Sequence, residues 1–388
     1  MKVAFDDKYY CRCLFWGIVI HVLSTVYAIN QYPSVGTVLN FVSWVLLAVQ
    51  MIRVLFLLRN SASVVIWWIC ICLLYLSYKH CLSRFIFEAF IYITGAYHIQ
   101  YNTIIKTMRT AWERSVVSVI TLAFFRILPA NIMYRSDGMV RNSLGFNHPN
   151  TLGLSLLVIA ILVFTEKYGN LEKKDIFEFS VLLGIIYFIS NSRTSTILCL
   201  ILVVVALWKM LNVEIRKVNF PLKKMFYNAS LIFGVLFLIF GVVWLIRNYD
   251  MLDYNESLNE LVSGRLRNAA IYYKAFPPKI LGQRMDQFRL DNDNFTKLYL
   301  DSGFMVLLIR NGIFSFFLYI VGIIKSIMKA NKGGNSGTII ALILLIISMM
   351  LEQAALEWVF LGPMFIAFAD YEFQNSIDEC CDENEEKL

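Results

Sequence analysis

The chain has 388 residues, of which 58% are hydrophobic and only 16% charged, with a mean hydropathy of +0.62. Water-soluble domains carry about 25% charged residues, so one soluble core is excluded and a polytopic membrane protein is expected. The net charge of +7 lies mostly in short loops between apolar runs, a pattern that orients membrane proteins and does not imply a nucleic-acid partner.

The N-terminal region, 1–133, has apolar runs at about 14–30, 37–58, 61–79, 82–99 and 115–133. Lys2, Lys8 and Arg12 precede the first run, and no small-residue cleavage site follows it, so no cleavable signal peptide is expected. The region 134–247 adds runs at about 149–166, 176–190, 194–211 and 225–247, separated by polar motif loops. The segment 248–302 is the one long polar stretch and reads as a large outer loop. The region 303–370 carries runs at about 303–325 and 338–370. The last exceeds one span of roughly 20 residues; Glu352 and Glu357 interrupt it, so it reads as two short spans. The tail 371–388 is acidic and is expected to be solvated on the cytoplasmic side. The expected fold is all-α and polytopic, with about 12 transmembrane helices and one large extracytoplasmic loop.

Alternate loops collect the lysines: Lys106 with Arg109 and Arg114, Lys167 with Lys173 and Lys174, Lys209 with Arg216, and Lys325 with Lys329 and Lys332. That side is expected to be cytoplasmic. The opposite loops then hold Arg135, Arg141, Arg193, Arg265 and Arg267 against the usual tendency, and an anionic ligand supplies a reason. Eight cysteines show no spacing suited to zinc and read mostly as small apolar residues. No P-loop, dinucleotide fingerprint or zinc-helix motif occurs, so neither a metal nor a cofactor is expected.

Three polar motifs interrupt the apolar pattern. The first runs from Arg141 to Gly153. Pro149 suits the first turn of a helix, with Asn147 or His148 as its cap and Asn150 in that turn. Such a helix aims its free N–H groups and positive dipole end at the motif, which makes an anion site. The plain alternative is a capped helix start with incidental polar neighbours. The second motif is Ser190 to Ser195, a tight turn between two helices that sets Arg193 at the start of the second. Its guanidinium fork suits pyrophosphate, although an arginine there also suits lipid headgroups. The third is Ser263-Gly264-Arg265, which reads as a helix cap and first turn before the aromatic pair Tyr272 and Tyr273.

Taken in order, these motifs resemble the Wzy-type polysaccharide polymerases and the related O-antigen ligases. The resemblance covers roughly 141–370 and rests on short motifs in a shared order on one side. It implies metal-independent glycosyl transfer on the outer face of the bacterial plasma membrane. The donor is a glycan on undecaprenyl pyrophosphate, the acceptor a second lipid-linked repeat unit. A flippase and a chain-length regulator are the further candidate partners. By motif match, Arg193 and Arg265 hold the donor pyrophosphate, with Arg141, Asn150 and Arg267 contributing to binding and Tyr272 and Tyr273 stacking on sugars. The ligases carry a histidine in the long loop; here the corresponding place reads Asp293-Asn294-Phe295, and the loop has no histidine. Asp293 is the first choice for general base, Asp291 the second and His148 the third. A transporter or flippase is the competing class, with Arg53, Glu88, Arg126, Glu352 and Glu357 as its candidate membrane-depth charges.

Overall fold

The computed structural model describes residues 7–30, 32–58, 63–134, 138–211, 221–251, 255–262, 264–285 and 299–371. Ser263, Arg135, Asp291 and Asp293 lie outside the described residues, as does nearly all of the acidic tail. The helices are α1 (Asp7–Asn30), α2 (Pro33–Leu58), α3 (Ser63–Cys81), α4 (Phe85–Gly95) and α5 (Tyr101–Phe124). After the short strands β1 (Ile132–Tyr134) and β2 (Val140–Asn142) come α6 (Pro149–Lys167), α7 (Lys173–Ile185), α8 (Arg193–Leu211) and α9 (Pro221–Arg247). Two short helices follow, α10 (Asn255–Leu261) and α11 (Arg265–Ala275). The chain ends with α12 (Gly303–Met305), α13 (Ile313–Lys332) and α14 (Ser336–Leu351).

Among the described residues, seven helices are long and apolar enough to cross a membrane: α1, α2, α3, α6, α8, α9 and α13. The other expected spans depart for local reasons. The run at 82–99 makes only the 11-residue α4, and the run at 176–190 makes the 13-residue α7 followed by a π-helical turn at Ile186–Ser190. The run at 115–133 is divided, because α5 stops at Phe124 and the chain then turns into the β1–β2 hairpin. This antiparallel pair, with Met133 opposite Arg141, is the exception to the all-α expectation. The run at 303–325 breaks into a second π-helical turn at Val306–Asn311 and restarts as α13 after Gly312.

The last run departs most. After α14, residues 353–367 form three 3-10 segments instead of a second helix. They run back along the bundle: the stretch starts at Glu352 and ends at Asp370, whose N–H donates to Ile99 O at 2.7 Å and whose carbonyl accepts from Tyr101 N at 2.8 Å. Non-helical backbone within a membrane survives only where protein encloses it and its polar groups find partners. Both conditions hold here. Trp358, Val359, Leu361, Phe365 and Ile366 are buried, and side chains from other helices reach the carbonyls. Trp112 Nε1 donates to Val359 O at 2.9 Å, and Ser326 Oγ to Met364 O at 3.2 Å.

α6 lies at the centre. Its residues from Leu152 to Thr165 are all buried, and it packs against α5, α7, α8 and α14. A helix apolar all round is what such a position requires. The basic residues gather at the C-terminal end of α6, where Arg109 pairs with Glu166 at 3.1 Å, Lys167 pairs with Asp175, and Lys209 lies over the Tyr168 ring. The three motif segments gather at its N-terminal end.

Candidate anion-binding site

α6 begins as its sequence requires. His148 is the N-cap in extended conformation, Pro149 occupies the first turn, and His148 Nδ1 accepts from the Asn150 N–H at 3.0 Å. The hairpin turns Arg141 inward, leaving it 9% exposed between exposed Val140 and half-buried Asn142. Its Nε donates to Ser190 O at 3.2 Å, and its Nη2 donates to Asn150 Oδ1. The first two motifs are thereby joined through one guanidinium.

Gly153 sets how closely α6 and the 190–195 turn approach. A Cβ there would stand 2.7 Å from Ser192 Cβ and 2.8 Å from Ser190 Oγ, so only glycine fits. The turn itself needs Asn191 in the left-handed region, at φ 49°; asparagine is among the few residues that tolerate it.

The third motif joins through a residue that sequence reasoning assigned elsewhere. Arg265 opens α11, and its Nη2 donates to Glu352 Oε1 at 2.9 Å. Asn150 Nδ2 donates to the same oxygen at 3.3 Å. Arg265 Nη1 donates to Leu351 O, and its Nε approaches Asp301 Oδ2 at 3.4 Å. One connected network therefore runs Ser190, Arg141, Asn150, Glu352, Arg265, Asp301. Gly264 before Arg265 adopts φ 82°, and a Cβ there would meet nothing within 4 Å. Its role is the left-handed backbone at the helix start.

The electrostatics of the network are balanced. Two guanidinium groups, on Arg141 and Arg265, face two carboxylates, on Glu352 and Asp301. Burial pushes the Glu352 carboxyl above the usual carboxylate range, and Arg265 and Arg141 offset only part of the rise. Burial likewise raises Asp301, against Arg265. His148 moves the other way: burial, then Arg141 and Arg265, hold its imidazole below the usual value, so it is neutral at pH 7. With Nδ1 accepting from the backbone, the proton of the neutral ring is on Nε2. His148 is thus a cap and a hydrogen-bond donor, a poor arrangement for the general base it was weighed as.

The other expected site residues have varied surroundings. Arg193 is the first residue of α8, exposed, three positions after Ser190. Arg267 is exposed on α11, and its backbone N–H donates to Asn259 Oδ1 at 3.0 Å. Tyr272 is buried and stacks on Phe276 with ring centroids 6.0 Å apart, while Tyr273 is half-buried. Asp291 and Asp293 precede Asp301, outside the described residues. Sequence reasoning missed Asp301 and Glu352 as partners. Glu352 had a visible signal: a carboxylate inside a long apolar run needs a cation, and the arginine motifs offered one.

A second polar group lies within the helices. His21 Nε2 is 2.8 Å from Glu357 Oε2, Arg84 Nε is 3.0 Å from Glu88 Oε1, and Tyr92 stacks on Trp358 with centroids 3.8 Å apart. Of the remaining candidate membrane-depth charges, Arg53 is buried with its guanidinium donating to Gly95 O over the Tyr10 ring, and Arg126 sits exposed in the turn after α5. Neither a family model, nor a curated protein, nor a solved structure matches this chain.

Proposed function

We propose that the chain polymerises oligosaccharide repeat units carried on undecaprenyl pyrophosphate, transferring the growing glycan to the next lipid-linked unit on the outer face of the plasma membrane. One observation carries the reading: Arg141, Asn150, His148 and Arg265, from motifs up to 124 residues apart in sequence, meet at the N-terminal end of α6. Fixed guanidinium forks beside the positive end of a helix dipole suit a diphosphate leaving group. In this reading the acceptor hydroxyl oxygen bonds to the anomeric carbon, and the bond from that carbon to the phosphate oxygen breaks. The hydroxyl proton passes to Asp293, with Asp291 as second choice. Arginine charge stabilises the departing diphosphate, and the Nε2–H of His148 offers one more donor.

The balanced charge adds a condition. A diphosphate that takes Arg265 must displace Glu352, and a carboxylate released beside an anion is stabilised by taking up a proton. The raised pKa of Glu352 suits that exchange.

The His21–Glu357 and Arg84–Glu88 pairs favour a second reading, a proton-coupled transporter of lipid-linked glycan, because buried ionisable pairs mark ion pathways. The experiment that separates the two is reconstitution. Purified protein with a lipid-linked repeat unit gives a ladder of products if it is a polymerase, and proton-dependent movement of unchanged substrate if it is a transporter. Arg193→Ala and Arg265→Ala are each expected to stop the ladder. Arg193 is exposed at the start of α8, and a melting curve for each variant separates loss of transfer from loss of fold. Normal ladders from both variants overturn the assignment of the site.

A further inference from the structure

His21 on α1, Arg84 and Glu88 at the start of α4, and Glu357 in the irregular stretch after α14 form one buried group. His21 Nε2 is 2.8 Å from Glu357 Oε2, and Arg84 Nε is 3.0 Å from Glu88 Oε1. The two pairs are neighbours, since Glu88 interacts electrostatically with both His21 and Glu357. Tyr92 stands one turn along α4 from Glu88 and stacks on Trp358. Gly17, one turn before His21, makes room for them: a Cβ there would stand 2.9 Å from Tyr92 Oη and 3.2 Å from Trp358 Cη2.

The charges of this group do not balance. One guanidinium faces two carboxylates, so a neutral imidazole leaves one net negative charge. The surrounding elements do not answer it. Arg114 on α5 lies over the Phe15 ring, Arg53 on α2 donates to Gly95 O, and Cys13 on α1 approaches Tyr92. Glu352, five residues before Glu357, is held by Arg265. The hydrogen bonding is also incomplete. His21 Nδ1, Glu88 Oε2, Tyr92 Oη and Trp358 Nε1 are buried with no hydrogen-bond partner among the described residues. A buried polar network that only braces helices has its members satisfied. An uncompensated charge at membrane depth is costly, and a single proton cancels it.

We propose that His21, Glu88, Glu357 and Arg84 together bind one exchangeable proton, taken up and released through Glu357. The proton belongs to the group, because acceptors this close titrate together. Glu357 is the route in and out: its side chain is 20% exposed, against 5% for His21 and 2% for Glu88. Two structural salt bridges account for the distances and leave the net charge and the open polar atoms unexplained. The inference stands on charge and packing, and it rests on neither reading of the function.

The test uses the full chain in detergent at pH 7, isotope-labelled at its four histidines. Nitrogen NMR reads whether His21 carries hydrogen on both ring nitrogens, with His21→Gln assigning its signals. Infrared spectroscopy reads a protonated carboxyl, assigned by its loss in Glu88→Gln or Glu357→Gln and its survival in Glu352→Gln. The unaltered chain is expected to show an imidazolium at His21 or a protonated carboxyl on Glu88 or Glu357. Either glutamine replacement removes the excess negative charge, so each is expected to lose the extra proton, with a melting curve confirming the fold. A neutral His21 with no protonated carboxyl band in the unaltered chain overturns the proposal, whether or not the variants fold. Retention of the proton in both folded glutamine variants overturns it equally.

Discussion

Replacing Glu352 tests whether one carboxylate ties the motif segments together by charge or by hydrogen bonding. Its Oε1 accepts from Arg265 Nη2 at 2.9 Å and from Asn150 Nδ2 at 3.3 Å. Alanine removes both bonds and leaves Arg265 with Asp301 and the Leu351 carbonyl. Hydrogen bonds to charged groups contribute about 1.5–3 kcal/mol, and breaking a fully buried ion pair costs about 3–5 kcal/mol. The Arg265 side chain is 19% exposed and keeps two partners, so the lower range applies and Glu352→Ala should cost about 2–3 kcal/mol. Glutamine behaves differently. Because burial holds the folded carboxyl above its unfolded value, ionising it opposes folding, and an uncharged isostere that keeps the acceptor oxygen should fall within about 1 kcal/mol of wild type. The folded state binds the extra proton, so wild-type stability declines as pH rises from about 4.5 through the raised folded pKa, and Glu352→Gln gains on wild type across that window. Thermal unfolding of the detergent-solubilised chain between pH 4 and pH 8 measures all three quantities. If glutamine destabilises as much as alanine at pH 7, the negative charge itself holds the network and the reasoning from burial fails.

Three further replacements probe the two ends of α6. His148→Asn keeps a strong N-cap and removes the imidazole. The folded His148 pKa lies below 6.5, so wild-type stability should fall as pH drops from about 6.5 toward the folded value, and the variant should lose that slope in the same melting series. Gly153→Ala should cost about 1–3 kcal/mol by driving a methyl into Ser192 and Ser190, whereas Gly169→Ala, with nothing within 4 Å, should be nearly neutral. Equal melting temperatures for the two glycine variants would remove the close helix–turn approach from the account.

Much of the candidate site was legible because it is written in local rules. A proline, a capping side chain and an apolar run define the start of α6, and His148 caps it through Asn150 as that spacing requires. The turn at 190–195 and the helix beginning at Arg193 follow equally from short-range preference. Charge alternation separated the arginine motifs from the lysine loops, and they occupy opposite ends of α6. What stayed hidden depends on partners far along the chain. Glu352 is 202 residues from Asn150 and 87 from Arg265, and no periodicity links them. The 353–367 stretch is apolar enough to read as a helix. It winds as 3-10 turns because buried side chains of other helices satisfy its carbonyls, a condition set only once those helices are packed. The amino-acid order by itself determined a membrane-embedded helical chain and the composition of each motif, since hydropathy and capping act over a few residues. Tertiary structure alone decided which carboxylates answer the arginines, because only close packing decides which buried charges become neighbours.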